Sequence, residues 1–163
     1  MSNFDFHVLW KCPKGESCQD LIEFWLTHKA LPTRGACEKR LEQVVLFARD
    51  EKGKVAGVCT AHQSKPARLD QPVFYYRSFI APEYRATVLV LRLLRRAVSL
   101  LERDARENNW ECIGVFLELE NPKFNQKGRM PVWPGLDFVY IGKSDRGFEC
   151  RVYWFKNARL KSC

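Results

Sequence analysis

Two glutamates stand two residues apart in the second half of the chain, within the run Val-Phe-Leu-Glu-Leu-Glu-Asn. They are Glu118 and Glu120, and a spacing of two places both side chains on one face of a β-strand. A carboxylate in that position could take a proton from an amine, directly or through a water molecule. A solvent-facing or ion-paired strand end would produce the same pattern, so both interpretations stay open.

An arginine interrupts the apolar run from Val73 to Ile80. Strand alternation puts Arg77 and Tyr75 on the same face of that run. An interior arginine needs a carboxylate or phosphate partner, because an unpaired buried charge is costly. One of the two glutamates could be that partner, which would be structural. The sharper hypothesis is a substrate carboxylate, which makes Arg77 and Tyr75 candidate substrate-binding residues.

A turn follows the same strand at Pro82, and a long amphipathic helix opens after Glu83-Tyr84-Arg85. A helix N-terminus at this turn presents free backbone N–H groups and the positive end of its dipole, which suits a pyrophosphate. Helical spacing predicts an apolar stripe on this helix, formed by Val90, Leu94, Ala97, Leu101 and Ala105.

The elements that would position these residues alternate along the chain. Two helices are predicted after the first strand, one behind the Ser17-Cys-Gln-Asp20 capping pattern and a more polar one over residues 33–43. Polar turns at residues 51–54 and 145–147 predict two hairpins. The predicted strands cover residues 6–11, 44–50, 55–62, 73–80, 112–119, 138–144 and 148–155.

The order of these elements defines a fold class. Between the fifth and sixth strands a short helix or a loop is expected, because that segment is rich in turn residues: Pro122, Gly128, Pro131, Pro134 and Gly135. Such an order requires a mixed sheet with helices on its faces. We therefore predict an α/β (α+β) fold with a mostly antiparallel central sheet of about six to seven strands, helices on both faces, and a single domain over residues 1–163.

Composition excludes several other classes. The 163 residues, 46% hydrophobic and 28% charged, are typical of a globular domain, and no apolar run reaches the roughly 20 residues that span a bilayer. The N-terminus does not look like a signal peptide. Seven cysteines without a C-x-x-C pair, and three histidines far apart in sequence, favour a reduced cytoplasmic protein without a metal site.

The charge points to anionic partners. Lysine and arginine number 27 against 19 acidic residues, a net charge of +8. Such an excess favours nucleic acid, a phosphorylated cofactor or an acidic carrier protein. No zinc finger, RNP-like signature or basic repeat accompanies the charge, which disfavours nucleic acid.

The segment after the fourth strand resembles the coenzyme A motif of the GNAT acyltransferase superfamily. That motif is an Arg or Gln with a glycine at the third following position and Gly or Ala at the fifth. Arg85 holds the first place here, and Val88 and Val90 hold the two small positions. The strand order, the run ending at Asn121, and Trp133-Pro-Gly-Leu-Asp-Phe138 also resemble the family, over essentially the whole chain.

The resemblance implies a donor site and an activity. The cofactor would be acetyl-CoA or a longer acyl-CoA, with its pantetheine along the fourth strand and its pyrophosphate on backbone amides. The implied cofactor-binding residues are Phe79, Ile80, Ala81, Arg85, Ala86, Thr87, Val88, Leu89, Val90 and Asn121.

The same resemblance bears on proton transfer. The family often uses a tyrosine after the fifth strand to protonate the leaving thiolate, and Trp133 holds that place here. An indole N–H cannot serve as a general acid at neutral pH. Tyr140, Tyr84 or Tyr76 could substitute, and with Glu118 and Glu120 as bases we take Tyr140 as the third catalytic candidate.

Three functions are consistent with these patterns. The first is transfer of an acyl group from acyl-CoA to a small-molecule or peptide amine by direct attack in a ternary complex. The second keeps the fold but takes the acyl group from an acidic acyl carrier protein. The third is a non-catalytic GNAT-fold binding module.

Overall fold

The computed structural model describes residues 3–121, 130–160 and 162. The helices are α1 (Glu16–Thr27), α2 (Arg34–Leu41) and α3 (Leu89–Glu107), with a short 3-10 helix at Pro82–Tyr84. The strands are β1 (Asp5–Val8), β2 (Val44–Arg49), β3 (Val55–Ser64), β4 (Val73–Ile80), β5 (Gly114–Leu119), β6 (Val139–Lys143) and β7 (Glu149–Trp154). Within the described part of the chain, no helix is both long and apolar enough to cross a membrane.

The strands form one sheet in the order β1-β2-β3-β4-β5-β7-β6. The pairs β1–β2, β2–β3, β5–β7 and β6–β7 are antiparallel, while β4 and β5 run parallel. The predicted mixed, mostly antiparallel sheet is confirmed, and so are both hairpins. The predicted strand ends differ from the observed ones by up to three residues, because sequence periodicity does not fix where hydrogen bonding stops.

The chain divides into two compact units, each made of two separate stretches. The first contains Met1–Ala61 and Ser78–Ala97, and the second contains His62–Arg77 and Val98–Cys163. Each of β3, β4 and α3 contributes residues to both units.

In the first unit, helices lie on both faces of the strands. Phe47 and Val58 are paired across β2 and β3, and both belong to the buried cluster that α1 and α2 complete. Gly57 points to the other face, where α3 packs. A β-carbon added at Gly57 would lie 3.2 Å from Leu93 and 3.3 Å from Leu89. The absence of a side chain at Gly57 therefore lets α3 approach the strands closely.

The start of α1 differs from the prediction. The residue before the helix is Gly15, with φ of 99°, and no side chain caps the first turn. Ser17 and Asp20 lie inside the helix, where Asp20 accepts a 2.5 Å hydrogen bond from Arg49. The predicted capping box is wrong, because the helix begins at Glu16, one residue before Ser17, and the Asp20 carboxylate is bonded to an arginine of β2 instead. The second helix does have a side-chain cap, since the Thr33 hydroxyl accepts a 3.1 Å bond from the Ala36 N–H.

The second unit is built on β5, β7 and the first half of β4. Val73, Phe116 and Cys150 form its buried cluster, one from each of these strands. Tyr153 of β7 donates a 3.2 Å hydrogen bond to Glu102 of α3, which fixes the helix over the strands. Pro122 and Gly128 of the predicted turn-rich segment lie outside the described residues.

Candidate functional site

The turn between β4 and α3 is a folded structure of its own. The Tyr84 N–H donates to Ala81 O at 2.9 Å, and the Thr87 N–H donates to Tyr84 O at 3.1 Å. The α-helix begins only at Leu89. The sequence predicted that this helix opens directly after residues 83–85. The chain first forms the 3-10 helix at Pro82–Tyr84 instead, so α3 begins later.

The Thr87 side chain caps the N-terminus of α3. Its hydroxyl donates to Tyr84 O at 2.6 Å and accepts from the Leu89 N–H at 3.2 Å. The first N–H groups of a helix have no acceptor within the helix. One of them is therefore already bonded here, and the remaining ones supply the positive end of the helix dipole.

The two valines of the motif have different surroundings. Val88 is 58% exposed, so its side chain stands at the helix N-terminus rather than in the core. Val90 is half-buried, and Leu89 beside it is fully buried. The apolar stripe of α3 therefore begins with Leu89, and the prediction that Val90 starts it is wrong by one residue.

Arg85 folds back onto the end of β4. Its Nε donates to Ile80 O at 3.1 Å, and its guanidinium lies 5.5 Å from the centre of the Phe79 ring. The Ala81 N–H donates to Ala56 O of β3 at 2.9 Å. Because neighbouring residues of a strand direct their N–H and C=O groups to opposite edges, those of Ile80 face away from β3. Ile80 and Ala81 are buried, and Phe79 is half-buried against α1.

The Tyr84 side chain connects this turn to Asp50, directly after the end of β2. Its hydroxyl donates to Asp50 at 2.7 Å, while the other Asp50 oxygen accepts from the N–H groups of Lys52 and Lys54, both at 2.9 Å. The Tyr84 bond lowers the pKa of Asp50, and the Asp50 carboxylate raises the pKa of Tyr84 to about 12. Such a phenol is a poor acid near neutral pH, which argues against Tyr84 as the substitute proton donor.

In the second unit, Glu118 is surrounded by three hydrogen-bond donors. It accepts from the Tyr75 hydroxyl at 2.7 Å, the Ser144 hydroxyl at 2.6 Å and Arg146 Nε at 3.1 Å. Burial acts to raise the pKa of Glu118, but the bonds from Ser144, Tyr75 and Arg146 outweigh it, so the pKa is lowered. The side chain is 11% exposed and remains ionised at neutral pH.

Arg146 joins the two glutamates predicted from the sequence. Its Nε bonds Glu118 and its Nη2 bonds Glu120, whose side chain is 59% exposed. The ion-paired strand end, one of the two original interpretations, is therefore present. Ser144 and Arg146 were missed, although the hairpin turn at 145–147 was predicted. The missing information was the pairing of Leu119 with Glu149, which brings that turn to the end of β5.

Tyr75 and Arg77 contact each other as alternation predicted. The Arg77 guanidinium lies 4.8 Å from the centre of the Tyr75 ring, and His62 stacks on that ring at 5.3 Å. Burial and the bond to Glu118 raise the pKa of Tyr75. Arg77 is exposed, so the prediction of an interior arginine paired with a strand glutamate is wrong. Stacking on an aromatic face lets the charge stay in water.

Tyr140 does not join this cluster. It is paired with Arg151 of β7, which is itself paired with Leu117 of β5. Glu118 is one residue further along, so it points to the opposite face of the sheet. Tyr140 instead faces the buried Arg151 guanidinium, 5.7 Å from its ring, and Trp133 lies at 4.6 Å from the same guanidinium.

The remaining candidates occupy less informative positions. Tyr76 is buried, and its partner across the sheet is Leu117, so it too points away from the Glu118 face. Asn121 is exposed beyond the end of β5. In residues 3–121, 130–160 and 162, no three His, Cys, Asp or Glu side chains come together as a metal site requires.

Comparison of the whole chain with solved structures identifies proteins of similar fold. It is similar to a GNAT superfamily phosphinothricin acetyltransferase (Pat) from Sinorhizobium meliloti in complex with AcCoA, with a TM-score of 0.65, 13% identity, and 98% of this chain and 93% of that chain covered. A GNAT-family acetyltransferase from Streptococcus pneumoniae gives 0.62, 16% identity, and 93% and 99% coverage. AtaT complexed with acetyl-methionyl-tRNAfMet gives 0.56, 12% identity, and 94% and 96% coverage.

These similarities show that the chain has the GNAT fold, as its strand order and motif indicated. At this level of identity they establish the architecture alone. No protein-family model matches the sequence, and no curated protein does.

Proposed function

We propose that this protein is an N-acyltransferase that takes an acyl group from acyl-CoA and transfers it to an amine. The observation that carries the proposal is the β4–turn–α3 segment of a GNAT fold, in which a 3-10 helix and the Thr87 cap form a helix N-terminus beside an arginine. Backbone N–H groups at such a terminus are suited to a pyrophosphate.

The donor site would use main-chain groups of Arg85 to Val90 for the pyrophosphate and the edge of β4 at Ile80 for the pantetheine. When bound, coenzyme A supplies the acyl group as an activated thioester. Arg85 is in contact with Ile80 O through its guanidinium. We expect its guanidinium to leave that oxygen and turn toward the phosphates, which are better partners for it.

The two glutamates would divide the work at the acceptor amine. Glu118 stays ionised and holds Tyr75 and Ser144 in place through its hydrogen bonds. Its lowered pKa makes it a weak proton acceptor. Glu120 is exposed and has Arg146 as its contact, so we assign to Glu120 the removal of the amine proton, through water. Replacing Glu120 by Gln should then lower kcat without a comparable change in acceptor KM.

Thermal denaturation with and without ligand tests the donor. A ligand that binds the native state alone raises the melting temperature, and acetyl-CoA should do so. Arg85→Ala should reduce the shift, whereas Arg95→Ala should leave it unchanged, since Arg95 is an exposed arginine of the same unit outside the turn. Absence of any shift with saturating acetyl-CoA and long-chain acyl-CoA would refute the acyl-CoA donor.

A second candidate donor, an acylated carrier protein, is favoured by the arginines of α3. Arg92 and Arg96 lie 5.0 and 4.1 Å from the centre of the Phe6 ring. Neither these two nor Arg95 forms an ion pair among the residues that the structure describes. Uncompensated arginines held in place by an aromatic ring suit an acidic protein surface.

Binding measurements separate these donors. Tight binding of acylated carrier protein, lost in the Arg92→Glu, Arg96→Glu double variant, would select the second candidate. Because one similar structure holds acetyl-methionyl-tRNAfMet, RNA belongs in the same measurement as a competing anionic partner. A protein that binds neither acyl-CoA nor acylated carrier protein would instead be a non-catalytic module.

A further inference from the structure

We infer that the second unit carries an acceptor site for amines that also bear an anionic group, a carboxylate or a phosphate, recognised by Arg68 and Arg77 on the two sides of Glu118. This inference rests on the proposed acyl transfer for its chemistry and adds the class of acceptor. Every residue in it belongs to the same compact unit.

Strand register places these groups on one sheet face. Tyr75 is paired with Phe116, and Glu118 lies two residues after Phe116, so Tyr75 and Glu118 share a face. Glu118 is paired with Cys150, which in turn is paired with Gly142. Adjacent strands lie about 4.8 Å apart, so β4 to β6 spans about 14 Å, with Glu118 one strand from β4 and two strands from β6.

An exposed arginine stands at each end of this row. Arg77 of β4 lies over the Tyr75 ring, 4.8 Å from its centre. At the other end, Arg68 rests on Gly142, and a β-carbon added there would lie 2.5 Å from Arg68 Nη1. Burial and the Glu118 carboxylate raise the pKa of the Cys150 thiol, and the positive charge of Arg68 acts against that rise.

The positive charges on this face are not all paired with carboxylates. Arg146 bonds both Glu118 and Glu120. Arg68 and Arg77 form no ion pair with any carboxylate of the described chain. Two guanidinium groups are thus available to a ligand, and guanidinium geometry matches a carboxylate or phosphate with two parallel hydrogen bonds.

The arrangement would orient an acceptor at two points. The anionic group would contact both Arg68 and Arg77, and the amine would then be held toward the carboxylates at the end of β5. An amine without an anionic group would gain nothing from the two arginines. Selectivity for the anionic acceptor should therefore come from them.

Matched acceptor pairs test this inference. Acyl transfer to an amino acid is compared with transfer to its carboxamide, and transfer to phosphoethanolamine with transfer to ethanolamine. We expect kcat/KM to be at least tenfold higher for the anionic member of one pair, mainly through KM. Arg68→Gln and Arg77→Gln should each reduce that preference roughly tenfold, the size of a charge-assisted bond.

A matched control and a second measurement distinguish failure of this inference from failure of the proposed function. Arg103→Gln removes the same charge from the same unit, at an exposed position of α3, and should leave the preference unchanged. Binding of phosphoethanolamine without any acyl donor, followed by NMR, reports on the site even if acyl transfer is not the activity. Equal rates for both members of each pair, or an equal effect of Arg103→Gln, would overturn the inference while leaving the proposed acyl transfer standing. Failure to bind any acyl donor would overturn the proposed function instead.

Discussion

Tyr84 shows how a single side chain can hold the candidate donor turn in place. Its hydroxyl bonds Asp50 at the β2–β3 turn, and its ring meets the edge of Phe4 at 5.4 Å. The same hydrogen bond removes Tyr84 from the set of possible acids. A residue that the sequence offered for catalysis therefore has a structural task.

The Tyr84 contact should give stability a measurable pH dependence. The pKa of this phenol is raised from 10.0 to about 12 on folding, so its contribution is complete below pH 10 and is lost between pH 10 and 12. Tyr84→Phe should cost about 1 kcal/mol at pH 8, a typical net value for one hydrogen bond. Denaturant unfolding at several pH values measures both proteins, and the difference between them should shrink above pH 10.

Val88 offers a gain-of-function prediction. The side chain is exposed at the helix N-terminus, where the family motif has glycine. Val88→Gly should tighten acetyl-CoA binding roughly threefold to tenfold, because a phosphate could then approach the backbone more closely. Calorimetric titration measures the effect. Ala86→Gly adds the same backbone freedom elsewhere in the turn, and an equal gain in that variant would show that the Val88 side chain is not the obstacle.

The sequence identified some residues of the site and missed others for a clear reason. Tyr75, Arg77, Glu118 and Glu120 were found because alternation along one strand is visible in the chain. Arg146 was not found, because its role depends on which strand lies beside β5. Sequence order alone does not reveal that β7 lies between β5 and β6.

At the scale of elements, Gly57 controls how closely α3 packs. A β-carbon at this position would lie 2.7 Å from Ile80 and within 3.3 Å of Leu89. Those residues flank the candidate donor turn on its two sides. A methyl group added in β3 would therefore press on side chains at both ends of the turn.

Gly57→Ala should be destabilising by about 1 to 3 kcal/mol, as expected for a methyl group forced into a packed core. Gly35→Ala is the matched control, since a β-carbon there meets nothing within 4 Å and the residue lies in α2. Alanine in a helix is favoured over glycine by up to about 1 kcal/mol. Urea unfolding measures the free energy of unfolding of both variants. An unchanged value for Gly57→Ala would contradict the packing argument.

Element types were more predictable than element ends. The apolar periodicity of α3 is strong enough to identify the helix. The helix ends at Glu107, and Asn109 shortly after it has a φ of 51°, outside the helical range. Its start was misplaced because Pro82 begins a 3-10 helix that has no distinct periodic pattern. Local hydrogen bonds such as that of Thr87 decide where the α-helix begins, and they depend on backbone geometry that the pattern does not encode.

At the scale of the whole molecule, the excess of 27 basic over 19 acidic residues remains the main indication of an anionic partner. Part of that charge is neutralised locally, as at Arg146 and Arg49. Arg92, Arg95 and Arg96 of α3 form no ion pair within the described part of the chain. Their charges therefore remain available to act on an anionic partner.

The charge predicts a steep salt dependence. Replacing Arg92, Arg95 and Arg96 by Glu lowers the net charge from +8 to +2. Binding of an acidic carrier protein should weaken as salt rises from roughly 50 to 500 mM, because screening shortens the range of the attraction. The triple variant should bind weakly at low salt and show little further loss. An unchanged salt dependence in the variant would place the contact surface elsewhere.

The division of the chain into two units, each assembled from two separate stretches, has a consequence for synthesis. The first unit needs Ser78–Ala97 as well as Met1–Ala61. During translation it cannot be completed until residue 97 has left the ribosome, although most of its strands emerge much earlier. Truncation at any single point also leaves at least one unit without part of its chain. We therefore expect released fragments that end between residues 61 and 97 to be sensitive to protease, and longer released fragments to gain protection in the first unit before the second.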